Sequence, residues 1–177
     1  HDGNIEVVPL IPEDQNPRLN VLMEHLGLVP HQAIIFARFT AEIDMICRHI
    51  PKRLKEDGKP VRCVRFDGTV SDAQRKIALE DFKSGKAKFL VGHVQAAGRG
   101  LTLVNAKRTI YYSNDFAYGN RMQSEKRIHR IGQQDACFYD DLEAVRSVDG
   151  RIIKSLRAKH DIASQVTGDT LKDWLTE

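Results

Sequence analysis

The sequence predicts an α/β domain in which helices cover both faces of a mostly parallel sheet. The order of apolar segments along the chain supports this fold class. Short apolar runs of strand length, such as Ala33–Phe36 and Phe89–Val91, alternate along the chain with amphipathic segments of helical length. Such alternation favours parallel strands joined by helical crossovers, with functional loops at the carboxyl ends of the strands. At 177 residues, the chain has the size of one ordinary domain.

The first half of the chain predicts two strand–helix units after a connecting segment, residues 1–16, which contains prolines and no clear periodicity. A helix is expected over Pro17–Leu28, since Leu19, Leu22, Met23 and Leu26 recur at helical spacing. The strand at Ala33–Phe36 precedes a helix with Thr40 as its expected N-cap and with an apolar face that extends to Leu54.

A second strand is expected over Val61–Phe66. The Ser71–Gln74 capping box then predicts the start of a helix. That helix is expected to direct Ile77, Ala78 and Phe82 inward.

The second half contains a glycine-rich turn, two further strands and two helices. The predicted elements are a turn at Gln95–Leu103, a strand at Thr109–Tyr112, a helix that carries Gln123–Gln133, a strand from Cys137 and a helix at Ser147–Val166. We expect the domain to span residues 17–167, followed at 168–177 by a short helix or tail.

Composition limits the class of protein. A net charge of +3 and a pI near 8.8 permit contact with nucleic acid without requiring it. The three cysteines lack Cys-x-x-Cys spacing, which indicates a reducing, intracellular compartment, and no apolar run approaches the roughly 20 residues of a membrane helix. Because the chain begins with His1 instead of Met, we expect a piece of a longer protein.

A helical arginine motif is the main candidate site. Gln123, Arg127 and Arg130 are spaced i, i+4 and i+7, so they fall on one face of a helix. Guanidinium groups stay charged and can hold two phosphate oxygens at once, which suits a polyphosphate ligand. A solvated charged face is the alternative interpretation.

The glycine turn is the second candidate. Gly98 and Gly100 allow backbone N–H groups to approach a phosphate closely. Leu103 stands where a dinucleotide fingerprint needs its third glycine, and the sequence has no Gly-x-x-x-x-Gly-Lys-Ser/Thr phosphate loop. A plain structural turn therefore remains the alternative. His129 has no partner at metal-ligand spacing, so no metal site is predicted.

Four sequence motifs follow one another along the chain: Ala33–Thr40, Arg65–Thr69, Ala97–Leu103 and Gln123–Gln133. In this order they resemble the motifs of the second RecA-like lobe of superfamily-two helicases, and they are most similar to the Swi/Snf group of DNA-dependent ATPases. The run Arg127–Gln133 is the most specific among them. The resemblance implies a RecA-like three-layer fold over about residues 17–166.

The sequence departs from the Swi/Snf pattern at three places, and one of them is Thr102, at a position often held by Asn or Asp. His93, Val94 and Gln95 replace a hydroxyl residue and an arginine before the third motif, which resembles small phage-encoded relatives. The stretch Asp115–Tyr118 replaces Asp-Trp-Asn-Pro before the fourth motif.

The resemblance implies an ATP-dependent DNA translocase or helicase in which ATP and Mg²⁺ bind at a separate N-terminal RecA-like lobe. Arg130 would act as the arginine finger, Arg127 as a second phosphate contact and Gln123 as an orienting group. Nucleotide-binding positions would be Gly98, Gly100 and Thr102. Duplex DNA would contact Arg38, Phe39, Thr40, Gly68, Thr69, Arg75 and Arg99.

The same resemblance implies cytoplasmic localisation in a bacterium or phage and nuclear localisation in a eukaryote. The isolated chain is expected to hydrolyse no ATP. Two other classes of function stay open: a non-catalytic RecA-like module that binds nucleic acid or a protein partner, and a self-contained small-molecule enzyme that uses the Gly98 turn.

Overall fold

The computed structural model describes residues 11–96, 103–128 and 136–175, including their side chains except at 127–128 and 164–175. The helices are a short 3-10 turn at Glu13–Gln15, then α1 Pro17–Leu28, α2 Thr40–Arg53, α3 Asp72–Lys83, α4 Tyr118–Ile128 and α5 Asp149–Leu175. The strands are β1 Ala33–Phe36, β2 Lys55–Glu56, β3 Lys59–Pro60, β4 Cys63–Phe66, β5 Phe89–Gly92, β6 Arg108–Tyr111 and β7 Phe138–Asp141.

Five strands form one sheet in the order β4-β5-β1-β6-β7, and every neighbouring pair is parallel. The first strand along the chain is therefore central. Ala33 of β1 pairs with Phe89 on one side and Arg108 on the other. All five strands end at the same edge, called here the carboxyl edge, so the loops that follow them lie close together.

Helices cover both faces, because consecutive residues of a strand point to opposite sides of the sheet. Ala33 and Ile35 belong to a core cluster with the apolar faces of α1 and α2, whereas Ile34 and Phe36 belong to a second cluster with Phe82 of α3. All four β1 side chains are at most 1% exposed. The predicted three-layer α/β fold is confirmed.

Local signals placed several elements correctly. The α1 bounds match the prediction, Asn16 accepts hydrogen bonds from two backbone N–H groups of the first turn, and the four predicted apolar residues are buried. Ser71 caps α3 as predicted: its Oγ accepts from Gln74 N at 3.3 Å, and Gln74 Oε1 accepts from Ser71 N at 3.2 Å.

Two helix predictions were wrong in detail. Thr40 is the first residue of α2 instead of its N-cap; Phe39 takes the cap position, and the Glu42 carboxylate accepts from Phe39 N at 3.1 Å. Ile77 is 59% exposed, because the buried side of α3 is set by Ala78 and Phe82, and Ile77 lies about 100° around the helix from Ala78.

The chain end also differs from the prediction. α5 continues to Leu175, so the prediction that this helix ends at about Val166 was wrong. Residues 149–175 contain no proline, and Gly168 alone costs a helix only about 1 kcal/mol relative to alanine. One glycine is therefore not enough to end this helix.

The β2–β3 hairpin between α2 and β4 was not predicted. Its turn is Asp57-Gly58, with φ of 51° and 75°. An Asp-Gly pair is a strong hairpin signal, since both turn positions require positive φ. The two-residue strands are too short for a periodicity search to detect. Among the helices of the described residues, none is long and apolar enough to cross a membrane.

Candidate functional site

The loops that follow β1, β5 and β6 enclose a cleft of about 260 Å³ at the carboxyl edge. Polar side chains dominate its lining, which includes Arg38, His93, Gln95, Ser113, Asn114 and Arg121. The segment His93–Gln95, where the sequence departs from the Swi/Snf pattern, therefore lies at this edge. Arg38 is the predicted DNA-contact residue that lines the cleft.

The loop after β1 presents an exposed cation beside an exposed ring. The Arg38 guanidinium lies 5.1 Å from the centre of the Phe39 ring, which is 54% exposed. The backbone beneath is fixed: Arg38 N donates to Ser113 Oγ at 2.8 Å, and that hydroxyl donates to the Glu42 carboxylate at 2.5 Å. A rigid loop thus directs a cation and an aromatic surface toward solvent, a pairing suited to phosphates and bases.

A buried carboxylate organises the loop after β4. Asp67 has no exposed surface and accepts from Arg65 Nε at 2.7 Å, from Thr69 N at 2.8 Å and from Thr69 Oγ1 at 2.6 Å. Although burial raises it, these hydrogen bonds and the Arg65 charge bring the pKa of Asp67 below its ordinary value. Asp67 therefore stays ionised and holds the exposed Gly68-Thr69 segment in place.

Arg75, a predicted DNA contact, supports the same loop. Its Nε donates to the backbone oxygens of Asp67 at 3.1 Å and Val70 at 3.0 Å, and its Nη1 lies 3.3 Å from Asp72 Oδ1. This geometry gives Arg75 a positioning contribution to the Gly68-Thr69 segment. Contact with DNA by its guanidinium remains a prediction.

Arg121 joins α4 to the carboxyl ends of β6 and β7. Its guanidinium carbon lies 3.4 Å from the centre of the Tyr111 ring, and its side chain is only 13% exposed. Nη1 donates to Asp141 Oδ1 at 2.5 Å, and Nε donates to Glu125 Oε1 at 2.5 Å. Burial lowers the pKa of Arg121, but the Tyr111 and Asp141 interactions outweigh it and the pKa is raised, so the charge persists.

Two hydroxyl groups fix α4 to the sheet further along the helix. Buried Ser124 Oγ lies 2.6 Å from Tyr111 Oη, and Tyr139 Oη donates to the Glu125 backbone oxygen at 3.2 Å. As a crossover helix between parallel strands, α4 leads away from the carboxyl edge. The first turn of α4 therefore lies at the cleft, while its later turns lie along the sheet.

The structure brings together part of the predicted site. Gln123 is exposed on α4, and Arg127 follows one turn later in the same helix, with its side chain outside the described part of the chain. Gly98, Arg99, Gly100, Thr102 and Arg130 also lie outside the described residues. The exposed carboxyl-edge group consists of Arg38, Phe39, Thr40, Gly68 and Thr69.

Sequence reasoning missed Arg121 and its ion pair with Asp141. Two sequence signals for this contact were present. Arg121 and Glu125 have the i, i+4 spacing of a helical ion pair, and Asp141 stands at the end of a predicted strand. Neither signal alone indicates that the two meet, since their contact depends on the β6–β7 pairing. Across the ranges that the structure describes, no group of three or more His, Cys, Asp or Glu side chains is arranged to hold a metal ion.

Residues 17–132 match the family described as the helicase conserved C-terminal domain. The match covers more than half of the chain, so the chain belongs to this family. Together with the parallel sheet and the relatives described below, it confirms the predicted second RecA-like lobe of a superfamily-two, Swi/Snf-like protein.

Several relatives are proteins of DNA repair or chromatin. DNA repair protein RAD5 of Yarrowia lipolytica is 26% identical over 162 residues, which are 90% of this chain and 15% of the relative. DNA repair and recombination protein RDH54 of Saccharomyces cerevisiae is 27% identical over 158 residues, 86% of this chain and 16% of the relative.

A Caenorhabditis elegans homologue of SWI/SNF-related matrix-associated actin-dependent regulator of chromatin subfamily A-like protein 1 is 28% identical over 139 residues, 78% of this chain and 19% of the relative. The chain thus spans less than a fifth of the length of these relatives.

A solved structure has the same fold. The crystal structure of the C-terminal part of the Fun30 ATPase domain aligns with a TM-score of 0.72 and 21% identity, over 84% of this chain and 48% of that chain. At this level of identity the similarity establishes the RecA-like fold.

Proposed function

We propose that this lobe works in an ATP-dependent DNA translocase, where it supplies arginines to ATP held by an N-terminal lobe and contacts the DNA backbone. The main support for the proposal is that α4 is held firmly against the sheet in a chain that belongs to the helicase C-terminal family. Arg121, Ser124 and the Glu125 backbone all bind the sheet, and Gln123 stays exposed. A fixed helix can present charged groups to a second lobe without reorganising.

Arg130 is proposed as the finger, Arg127 as a second phosphate contact and Gln123 as an orienting group. ATP with Mg²⁺ supplies the phosphoryl group that is transferred to water. Cationic side chains stabilise the charge that develops on that group, and one such arginine contributes about 10³ to 10⁵ in rate. Gly98, Gly100 and Thr102 are proposed to contact the nucleotide through the turn before β6.

The carboxyl-edge loops are proposed to grip duplex DNA. The exposed Arg38 and Phe39 pair, the Gly68-Thr69 segment fixed by Asp67, and Arg99 would contact phosphates and sugars without reading base sequence. Lobe closure and opening during ATP turnover would then move the protein along the backbone.

Replacement of Arg130 tests the finger assignment. In a protein that contains both lobes, Arg130→Ala should lower kcat for ATP by about a thousandfold or more, with a smaller change in nucleotide affinity, because the interaction forms mainly in the transition state. Steady-state ATPase assays on folded protein measure both quantities. Arg127→Ala should lower kcat similarly and weaken ATP binding more.

Lys126→Ala is the matched control. Lys126 is exposed on the same helix, next to Arg127, and its replacement also removes one positive charge. Glu125 is unsuitable because its carboxylate holds Arg121. Equal loss in Lys126→Ala and Arg130→Ala, or undiminished turnover in Arg130→Ala, would establish the solvated charged face and favour the non-catalytic module.

A further inference from the structure

The positive charge of this chain is concentrated at the edge of the sheet opposite the proposed DNA-binding loops. Residues 52–62 and 83–88 contain eight basic and two acidic residues, a net charge of +6. Since the whole chain carries +3, the remaining residues carry −3. The eight basic residues, called here the basic edge, are Lys52, Arg53, Lys55, Lys59, Arg62, Lys83, Lys86 and Lys88.

One backbone hydrogen bond and three ion pairs connect parts of the basic edge. Lys88 N donates to the Arg62 backbone oxygen at 2.9 Å, just before β5 and β4 begin. The hairpin joins this group because Lys88 Nζ lies 3.1 Å from Glu56 Oε1. Asp81, at the end of α3, lies 3.2 Å from Arg62 and 3.7 Å from Lys86. The hairpin, the end of α3 and the segments just before β4 and β5 therefore bring their cations to the side of the sheet where its strands begin.

Much of this charge is available to a ligand. Lys52, Lys55 and Lys59 are exposed, and within the described part of the chain none of the three forms an ion pair. Basic residues are common at helix ends, where they complement the helix dipole, which accounts for Lys52 and Arg53. It does not account for Lys55 and Lys59, which the hairpin carries beyond the end of α2.

The chemistry of the basic edge fits a phosphate backbone better than a protein surface. Protein interfaces are enriched in aromatic residues and depleted in lysine, whereas lysine is a common phosphate contact. Among the described residues, no exposed large apolar side chain falls within 52–62 or 83–88. A lysine-rich edge without an apolar centre indicates contact that is electrostatic and independent of sequence.

We propose that the basic edge is a second DNA-binding surface, which contacts backbone phosphates of duplex DNA on the side of the lobe opposite the carboxyl-edge loops. The choice of DNA as the ligand rests on the proposed function, but the basic edge is distinct from the carboxyl-edge loops. One lobe can then contact two segments of DNA, or the two sides of a bent segment. The basic edge also draws DNA in from a distance, because long-range attraction follows the net charge of a surface.

A triple substitution tests this surface in the 177-residue chain. Lys52→Gln, Lys55→Gln and Lys59→Gln together should weaken binding to a short duplex about tenfold or more at moderate salt. The slope of log affinity against log salt concentration should become shallower by up to about 2.7, since each phosphate contact contributes roughly 0.9. Fluorescence anisotropy over a salt series measures both, and circular dichroism verifies the fold.

The control removes the same charge elsewhere. Arg151, Lys154 and Arg157 are exposed on α5, and their triple replacement by glutamine should leave affinity within about twofold and the slope unchanged. Equal weakening in both triple variants would show that net charge alone matters and would overturn the proposal, as would unaltered binding in the basic-edge variant. If that variant keeps its DNA affinity but loses affinity for polyglutamate, the ligand is an acidic protein.

A carboxyl-edge variant separates this proposal from the proposed function. Arg38→Gln removes a cation at the cleft and leaves the basic edge intact. If the basic edge alone binds DNA, Arg38→Gln has no effect while the triple variant weakens binding, and the carboxyl-edge assignment fails. If the carboxyl edge alone binds DNA, the reverse pattern appears and the basic-edge proposal fails.

Discussion

At the scale of single residues, Arg121 shows how a charge can be structural within α4, the helix proposed to present arginines to ATP. Arg121 contacts Tyr111 of β6, Glu125 of α4 and Asp141 of β7, as well as Asn114. It therefore connects three consecutive elements of the fold. Because its partners come from three places along the chain, the helical pattern of α4 could not identify it. The arginines at 127 and 130, by contrast, were selected by spacing and family resemblance.

Replacement of Arg121 should therefore reduce stability. Arg121→Met leaves Asp141, which is 18% exposed, without its main counter-charge, and we expect the free energy of unfolding to fall by about 3 kcal/mol. In the Asp141→Asn background, the same replacement should cost clearly less, since the pair is already broken. Urea denaturation measures all four members of the cycle. Strictly additive losses would contradict a direct Arg121–Asp141 coupling.

At the scale of elements, short-range signals predicted α1, β1 and the start of α3, because caps and apolar periodicity act within a few residues. Thr40 and Ile77 were misplaced because neighbouring residues determined the result. At the start of α2, the Glu42 carboxylate accepts the hydrogen bond of Phe39 N, and in α3 the buried side is set by Ala78 and Phe82. The carboxyl-edge position of the predicted DNA loops followed from the parallel sheet. The hydrogen bonds by which Asp67 holds the Gly68-Thr69 segment could not be predicted in the same way, since they depend on the burial of Asp67.

Gly92, the last residue of β5, is required by the close approach of β4. A Cβ at this position would lie 2.1 Å from the Phe66 backbone oxygen. Gly92→Ala must therefore shift the backbone between β5 and the edge strand β4, and we expect a loss of about 3 kcal/mol in unfolding free energy. Thermal and urea unfolding measure the change.

Gly119 is the matched control, because a Cβ there meets no atom within 4 Å and the residue lies in α4. Gly119→Ala should leave stability unchanged or raise it by up to about 1 kcal/mol through helix propensity. If Gly92→Ala is as stable as Gly119→Ala, the strand spacing at Gly92 is not the constraint that the geometry indicates.

At the scale of the whole molecule, the proposed arrangement divides the ATP site between lobes. We expect the 177-residue chain alone to show no ATP turnover above background and poor ATP affinity, because the phosphate loop is absent from its sequence. Phosphate-release assays with and without DNA test this. Turnover that persists through repeated purification and disappears in Arg130→Ala would mean that this lobe holds a nucleotide site of its own.

The sheet order has a consequence for how the chain can be assembled during synthesis. β1 is complete at Phe36, but the strands that pair with it begin only at Phe89 and Arg108. β4 is complete earlier than either, yet β5 separates it from β1. A nascent chain that ends before Phe89 therefore contains two strands of the main sheet that cannot pair with each other. Such delayed, non-local pairing slows folding and leaves apolar strands open to chaperones or to aggregation until the second half of the chain emerges.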